Sequence, residues 1–349
     1  MTMLYPGVFN NDFLNAQRIL CDPPADEFIK DVFEDTTQKQ ALFQNLNALH
    51  YNEQADKFAG YYPGNDFINS AVTLPQWANA KLMTKGAAFF ANHAEAIMNL
   101  LGLLSLPYCY AAANGAMVLY LSDRLRTDTH KRLQETGEFV WEVMGPGAFD
   151  FGGKGFTSIL KVRLIHAAAR YYVQKDGNWD LAWGMPVNQE DMAGTNIAFS
   201  LIVIRGLRKL GYTIEPEEQE GFLHLWRVIG CLLGINQELL PSDIHLVREL
   251  ENAIRTRQFR ASEQGQELMR SLTLIFNEAA KGKDQNPRDV LGLIRHLLGD
   301  EITTMLAIDT PELPPDKLNF IKMLSLWQDL KPGSKPQVAY KSAYHKLHR

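Results

Sequence analysis

This sequence predicts an all-α fold, a multi-helix single domain, and three observations predict it. Helical spacing of apolar residues runs through most of the chain from Asp26 onward. Alternating β-branched runs, which would mark half-buried strands, are nearly absent. Hydrophobic residues fill 46% of 349 positions, enough for one large core. The net charge of −5, with 21% charged residues, gives no basic face, so nucleic acid is excluded as a partner. Cys21, Cys109 and Cys231 are far apart and odd in number. They fit neither a disulfide framework nor a zinc site, and they suit a reducing, cytoplasmic setting.

The opening "MTMLYPGVFNNDF" has no basic residue and no long apolar run, so it does not read as a secretion signal. Residues 26–50 predict one or two amphipathic helices. Residues 51–78, with Gly60, Pro63, Gly64 and Pro75, predict a long irregular connection. Helices follow at 79–105 and 107–122. Ala96 to Ser122 carries no charge, but Asn99, Gly102, Pro107, Asn114 and Gly115 interrupt it. That predicts two buried helices broken near Pro107 and no stable membrane span. A helix over 127–144 has Thr127 or Asp128 as N-cap. "GPGAFDFGGKG" (145–155) then breaks the chain before a helix over 156–174.

The next helix starts near Asn188 and ends at Gly211. Residues 215–234 have Pro216 near the start and acids in the first turn, both favourable at a helix N-terminus. Further helices are predicted at 242–258, 262–281, 287–299 and 315–330. Residues 1–330 thus read as a single all-helical domain, and 331–349 as a basic C-terminal surface tail.

The segment 161–170, "KVRLIHAAAR", is where chemistry enters. On a helix, residues three and four apart share a face, so His166 lies with Val162, Arg163, Ala169 and Arg170. Ala167, Ala168 and Ala169 remove bulk beside the ring. One reading is a core histidine between two structural arginines. The other is a neutral imidazole holding a large flat cofactor such as haem, with Arg163 and Arg170 against its propionates. No His has Glu three residues before it, and no zincin, Cys-x-x-Cys, nucleophile-elbow or phosphate-loop motif is present. His93 and His224, inside apolar helices, are candidate second ligands or plain core residues. One helix earlier, Arg132 and Thr136 share a face. If the two helices pack antiparallel, that pair would stand across a pocket from His166. Asn188, with Asp191 three residues on, reads as a helix cap, or with Trp183 as a pocket wall.

The order Arg-x-x-x-Thr (132–136), a Gly/Pro break, "VRLIHAAAR", "WGMPVNQEDMAGTNIAFS" and "LHLWRVIGCLLGI" resembles the family of the MpaB oxygenase and the latex-clearing rubber oxygenases. "DPPADEFIKDVF" and "LPQWANAKL" resemble bacterial members too, and the likeness covers roughly residues 20 to 240. The resemblance implies an all-helical fold with a globin-like core and haem b, whose iron His166 would bind from the proximal side. It implies Arg132 and Thr136 on the distal side, Arg227 as a further carboxylate or propionate partner, molecular oxygen as co-substrate, and a hydrophobic, isoprenoid or unsaturated substrate. The apolar helices at 86–122 would line the substrate channel. Two positions depart from the family pattern. Glu135 stands where rubber oxygenases carry a lysine, and 110–122 lacks the acid they use as a base. An oxygenase is therefore one expectation. A non-catalytic haem sensor or carrier with the same fold, or a scaffold without cofactor, are the others.

Overall fold

The computed structural model describes residues 7–63, 65–121, 129–282, 286–329 and 335–348. Its N-terminal part is a set of short helices: α1 (Asn11–Arg18), α2 (Pro23–Glu34), α3 (Thr36–Ala48), α4 (Ala55–Gly60) and α5 (Asp66–Ala71). Residues 51–78 are therefore not a plain irregular connection. Two six-residue helices and a 3-10 turn occupy them, each too short to display an apolar period in sequence. Asp35 caps α3 by accepting from the Thr37 and Gln38 amides.

The central helix α6 (Ala80–Leu100) runs without a break through a π turn (Leu101–Ser105) into α7 (Leu106–Tyr110). Pro107 thus lies inside the rod, and the break falls later, at 111–112, before α8 (Ala113–Leu121). The π turn explains the tolerance. It shifts the hydrogen-bond register, so that the Leu106 amide bonds Leu101 O, just where a residue without an N–H follows. Ala80–Tyr110 is long and apolar enough to cross a membrane, but half of its apolar window is buried by neighbouring helices, as in a core helix.

Next come α9 (Thr129–Met144) and α10 (Gly155–Asp176). Thr127 and Asp128, the expected caps of α9, lie outside the described residues. The helix expected over 188–211 is split by Ser200 (φ −114°, ψ −84°) into α11 (Gln189–Phe199) and α12 (Leu201–Lys209). Asn188 caps α11, its side chain accepting from the Asp191 amide at 3.0 Å. The series continues with α13 (Pro216–Leu232), α14 (Ile244–Gln258), α15 (Glu263–Gly282), α16 (Pro287–Leu298), α17 (Asp300–Met305) and α18 (Pro315–Asp329). No β-strand occurs among the described residues.

The C-terminal stretch is not a loose tail. Residues Pro336–Leu347 form α19, which packs on α6. Tyr340 and Tyr344, four apart, both set their rings on the buried Trp141, and the Tyr340 hydroxyl donates to Trp141 O at 2.9 Å.

Helix α6 is enclosed by α12, α13 and α19. Its crossing with α13 is a backbone contact. A Cβ at Gly86 would lie 2.4 Å from Gly221 O, and one at Gly221 would lie 2.9 Å from Gly86 N. The main core surrounds this crossing. A second apolar cluster joins α2, α3 and α5 to Leu160, Leu164 and Ala167 of α10. Helix α10 therefore stands between two cores.

Gly86→Ala should cost about 1–3 kcal/mol through overpacking. Gly60→Ala, whose Cβ meets nothing within 4 Å, should be neutral or slightly stabilising. Urea midpoints of the two variants test this, and equal midpoints would refute the backbone contact.

Candidate functional site

Helices α9 and α10 pack antiparallel. Near their joined ends, Glu142 accepts from Lys154 and Ser158. At the far ends, the Arg132 charge reaches His166. Of the sequence-predicted pair, Arg132 is therefore near the predicted histidine. Thr136 is half-buried on the Arg132 face, and Glu135 is exposed on another, as 100° of helical rotation requires.

The His166 ring is deep in the protein, and its Nδ1 is buried without a hydrogen-bond partner. Burial, then the nearby charges of Arg170 and Arg132, push its pKa down to about 3. The imidazole is therefore neutral at any physiological pH, the form that can donate to a metal. Arg132 is desolvated too, which lowers its pKa against the weaker opposing pulls of Tyr110, Cys109 and Glu135.

Arg163 and Arg170 flank the ring on α10, and both are already paired. Arg163 grips Asp22 through two bonds, Nε–Oδ2 at 2.6 Å and Nη2–Oδ1 at 2.8 Å, and lies over the Phe67 ring. Gly234 (φ +90°) backs this pair so closely that a Cβ there would sit 2.4 Å from Asp22 Oδ2. Arg170 donates to Asp26 Oδ1 at 2.6 Å and to Val187 O at 3.3 Å. Its Nη2, in a side chain only 2% exposed, has no partner. Arg163 is thus committed to a protein carboxylate, while Arg170 keeps one buried donor free beside His166.

The structure brings in residues that sequence reasoning passed over. Cys109 lies near Arg132 and is hydrogen-bonded to Thr195 of α11, and burial pushes its thiol up to about 12. Tyr110, also beside Arg132, is pushed up to about 12 by burial. Asp191 faces α8, where a Cβ on Gly115 would meet its Oδ1 at 3.2 Å. Burial raises the Asp191 pKa, against the pull of Arg18 at 2.9 Å. Asp191 and Thr195 are four apart on α11, the same spacing as Arg132 and Thr136, and that repeated spacing was the available signal.

Cys109, His166 and Asp191 are deep in the protein yet keep accessible surface. Thr195 is exposed in the middle of a helix whose Met192, Ala193, Ile197 and Ala198 are buried. Together with Arg132 of α9, these side chains mark out one region between α7, α10 and α11. Other candidates lie elsewhere. His224 accepts from the Asn79 amide at 2.9 Å, and the His93 Nδ1 pairs with Phe89 O at 3.1 Å. Arg227 stacks on Trp77 and donates to Leu240 O at 2.6 Å, so its free partner is not in this region. Trp183 offers its carbonyl to Arg18. No group of three or more His, Cys, Asp or Glu able to hold a bare metal ion occurs among the described residues.

Comparison with known proteins gives three findings. A family model described as "ER-bound oxygenase mpaB/B'/Rubber oxygenase, catalytic domain" matches residues 84–317. A rubber oxygenase of Streptomyces sp. (strain K30) is 24% identical over 293 residues, covering 82% of this chain and 70% of that protein. The solved structure of latex clearing protein LCP in the closed state matches with a TM-score of 0.78 at 21% identity, over 94% of this chain and 90% of that one. That likeness establishes the all-α fold.

The depressed His166 pKa makes a signed prediction for protein without added haemin. Between pH 6.5 and about 3 the unfolded chain holds a proton that the folded imidazole refuses. Stability should therefore fall as pH falls through that window. His166→Leu should flatten the fall by up to about 1.4 kcal/mol per pH unit. Urea midpoints measured across the window decide it; superimposable slopes would place the ring in contact with water.

Proposed function

Because this chain belongs to the family of the MpaB oxygenases and rubber oxygenases, we propose that it is a haem b oxygenase of an apolar, unsaturated substrate with His166 as protein ligand of the iron. One observation carries this reading: the His166 imidazole is neutral, its buried Nδ1 has no hydrogen-bond partner, and the Arg132 charge reaches it. The residues fit the group. His166 has a ring nitrogen left orphaned, Ala168 and Ala169 keep the helix surface low, and the orphaned Arg170 Nη2 is a donor suited to one propionate oxygen. Bound there, haem would supply the oxygen chemistry that no side chain can.

The chain's own groups do the rest. Arg132 offers a fixed cation and donors in a desolvated place, where electrostatic stabilisation is strongest. Thr136, on the same face, adds a small hydroxyl. Met98 of α6, whose Cε lies 3.4 Å from a Cβ position at Gly137, brings an apolar wall against α9. The stretch 110–121 carries no acid. A carboxylate that faces it is Asp191, held by Arg18 and by the Asn188 amide at 2.7 Å. That departure favours the second reading, a haem sensor or carrier without turnover.

Titration with haemin should give a Soret band at one equivalent, lost in His166→Ala. A wild-type protein that stays colourless would remove both readings. Oxygen uptake with unsaturated isoprenoids should fall by about 100-fold in Arg132→Gln, with the Soret band retained. Haem-loaded protein that consumes no oxygen with any such substrate selects the carrier.

A further inference from the structure

A hollow lies between α12 and α14, lined by none of the residues near His166. It encloses about 410 Å³ and is lined by Leu201, Ile204, Arg205, Arg208, Lys209 and Arg248. Every polar lining residue is a cation. Leu201 and Ile204 are buried and form an apolar floor, which strengthens the field above it.

The sequence of α12, "LIVIRGLRK", explains the convergence. Its apolar positions face the core, while Arg205, Arg208 and Lys209, spaced three and four apart, share the opposite face. Arg248 joins them from α14. Two of these cations suit the C-terminal end of a helix dipole, but Arg205 in mid-helix and Arg248 on another helix have no such reason.

The positive charge is poorly compensated. Glu251 receives Arg205 at 2.9 Å, yet it also has Arg255 at 3.8 Å and the Tyr108 hydroxyl. Lys209 donates only to the carbonyls of His296 and Leu297, at 3.1 and 2.8 Å. Arg208 reaches only Ile214 O, at 3.5 Å. Neither Arg208 nor Arg248 has a carboxylate partner among the described residues. Burial and the neighbouring Arg205 charge both lower the Lys209 pKa. In a chain of net charge −5, four cations lining one hollow against one shared carboxylate are a local excess.

We propose that this hollow binds a phosphate-bearing ligand. Guanidinium forks match the oxygens of a phosphate, and its multiple charge answers several cations at once. Such a phosphate can belong to a soluble compound or to a phospholipid headgroup.

The full-length protein, titrated calorimetrically with inorganic pyrophosphate, should show saturable binding that weakens as salt rises. Arg208→Glu with Arg248→Glu should weaken it at least about tenfold. Both side chains are exposed, so the variant should melt with wild type. The neutral pair Arg208→Gln with Arg248→Gln, intermediate in affinity, guards against an effect of reversal itself. Cosedimentation with phosphatidylcholine vesicles, with and without phosphoinositide, separates the sources. Binding to phosphoinositide vesicles that pyrophosphate displaces assigns a lipid headgroup, and pyrophosphate binding alone assigns a soluble phosphate. No binding in either arm, or binding indifferent to charge reversal, overturns the site.

Discussion

The arrangement depends on two arginine–carboxylate clamps that hold α10 against α2. Arg163 and Arg170 stand three residues before and four after His166, and Asp22 and Asp26 are four apart at the start of α2. Two clamps, seven residues apart on α10 and four apart at the start of α2, fix the rotation of α10 about its axis as well as its position, and rotation decides where an imidazole points. Buried ion pairs contribute little net stability compared with apolar packing. Leaving one partner alone costs roughly 3–5 kcal/mol, so the pairs penalise any other register.

The clamps also bear on the electrostatics of the ring. Arg170 acts on the ring although it is clamped to Asp26, and Arg132, with no carboxylate clamp among the described residues, acts on it as well. Two cations and heavy desolvation then make protonation of His166 expensive, which keeps the ring neutral and available as a donor. A buried, unpaired guanidinium is costly to the fold on its own. Its cost falls when a group with electron-rich atoms lies against it.

Much of this was legible in sequence, and what was not has a physical reason. Caps and breakers read directly: Asn188 before α11, Gly211 at φ +97° after α12, Pro216 at the start of α13. Helical spacing singled out His166, Arg132 and Thr136, but spacing alone left His166 open as a plain core histidine, and the family resemblance supplied the roles. Arg163 and Arg170 were read as flanking His166, but the aspartates that hold them lie more than 140 residues away, and no local pattern encodes such a contact. The same holds for α19, whose two tyrosines make sense only once Trp141 is beside them. Pro107 misled because a breaker stops being one when a π turn precedes it.

The N-terminal segment, outside the 84–317 match, has a share in the site that its sequence does not advertise. Arg18 at the end of α1 reaches Asp191 at 2.9 Å and Glu190 at 3.2 Å, and Glu190 is fully buried with Arg257 at 3.1 Å as a second cation. Asp22 and Asp26, four and eight residues later, hold α10. One short stretch of chain therefore ties both α11 and α10, the helices that carry Thr195 and Asp191 on one side and His166 on the other.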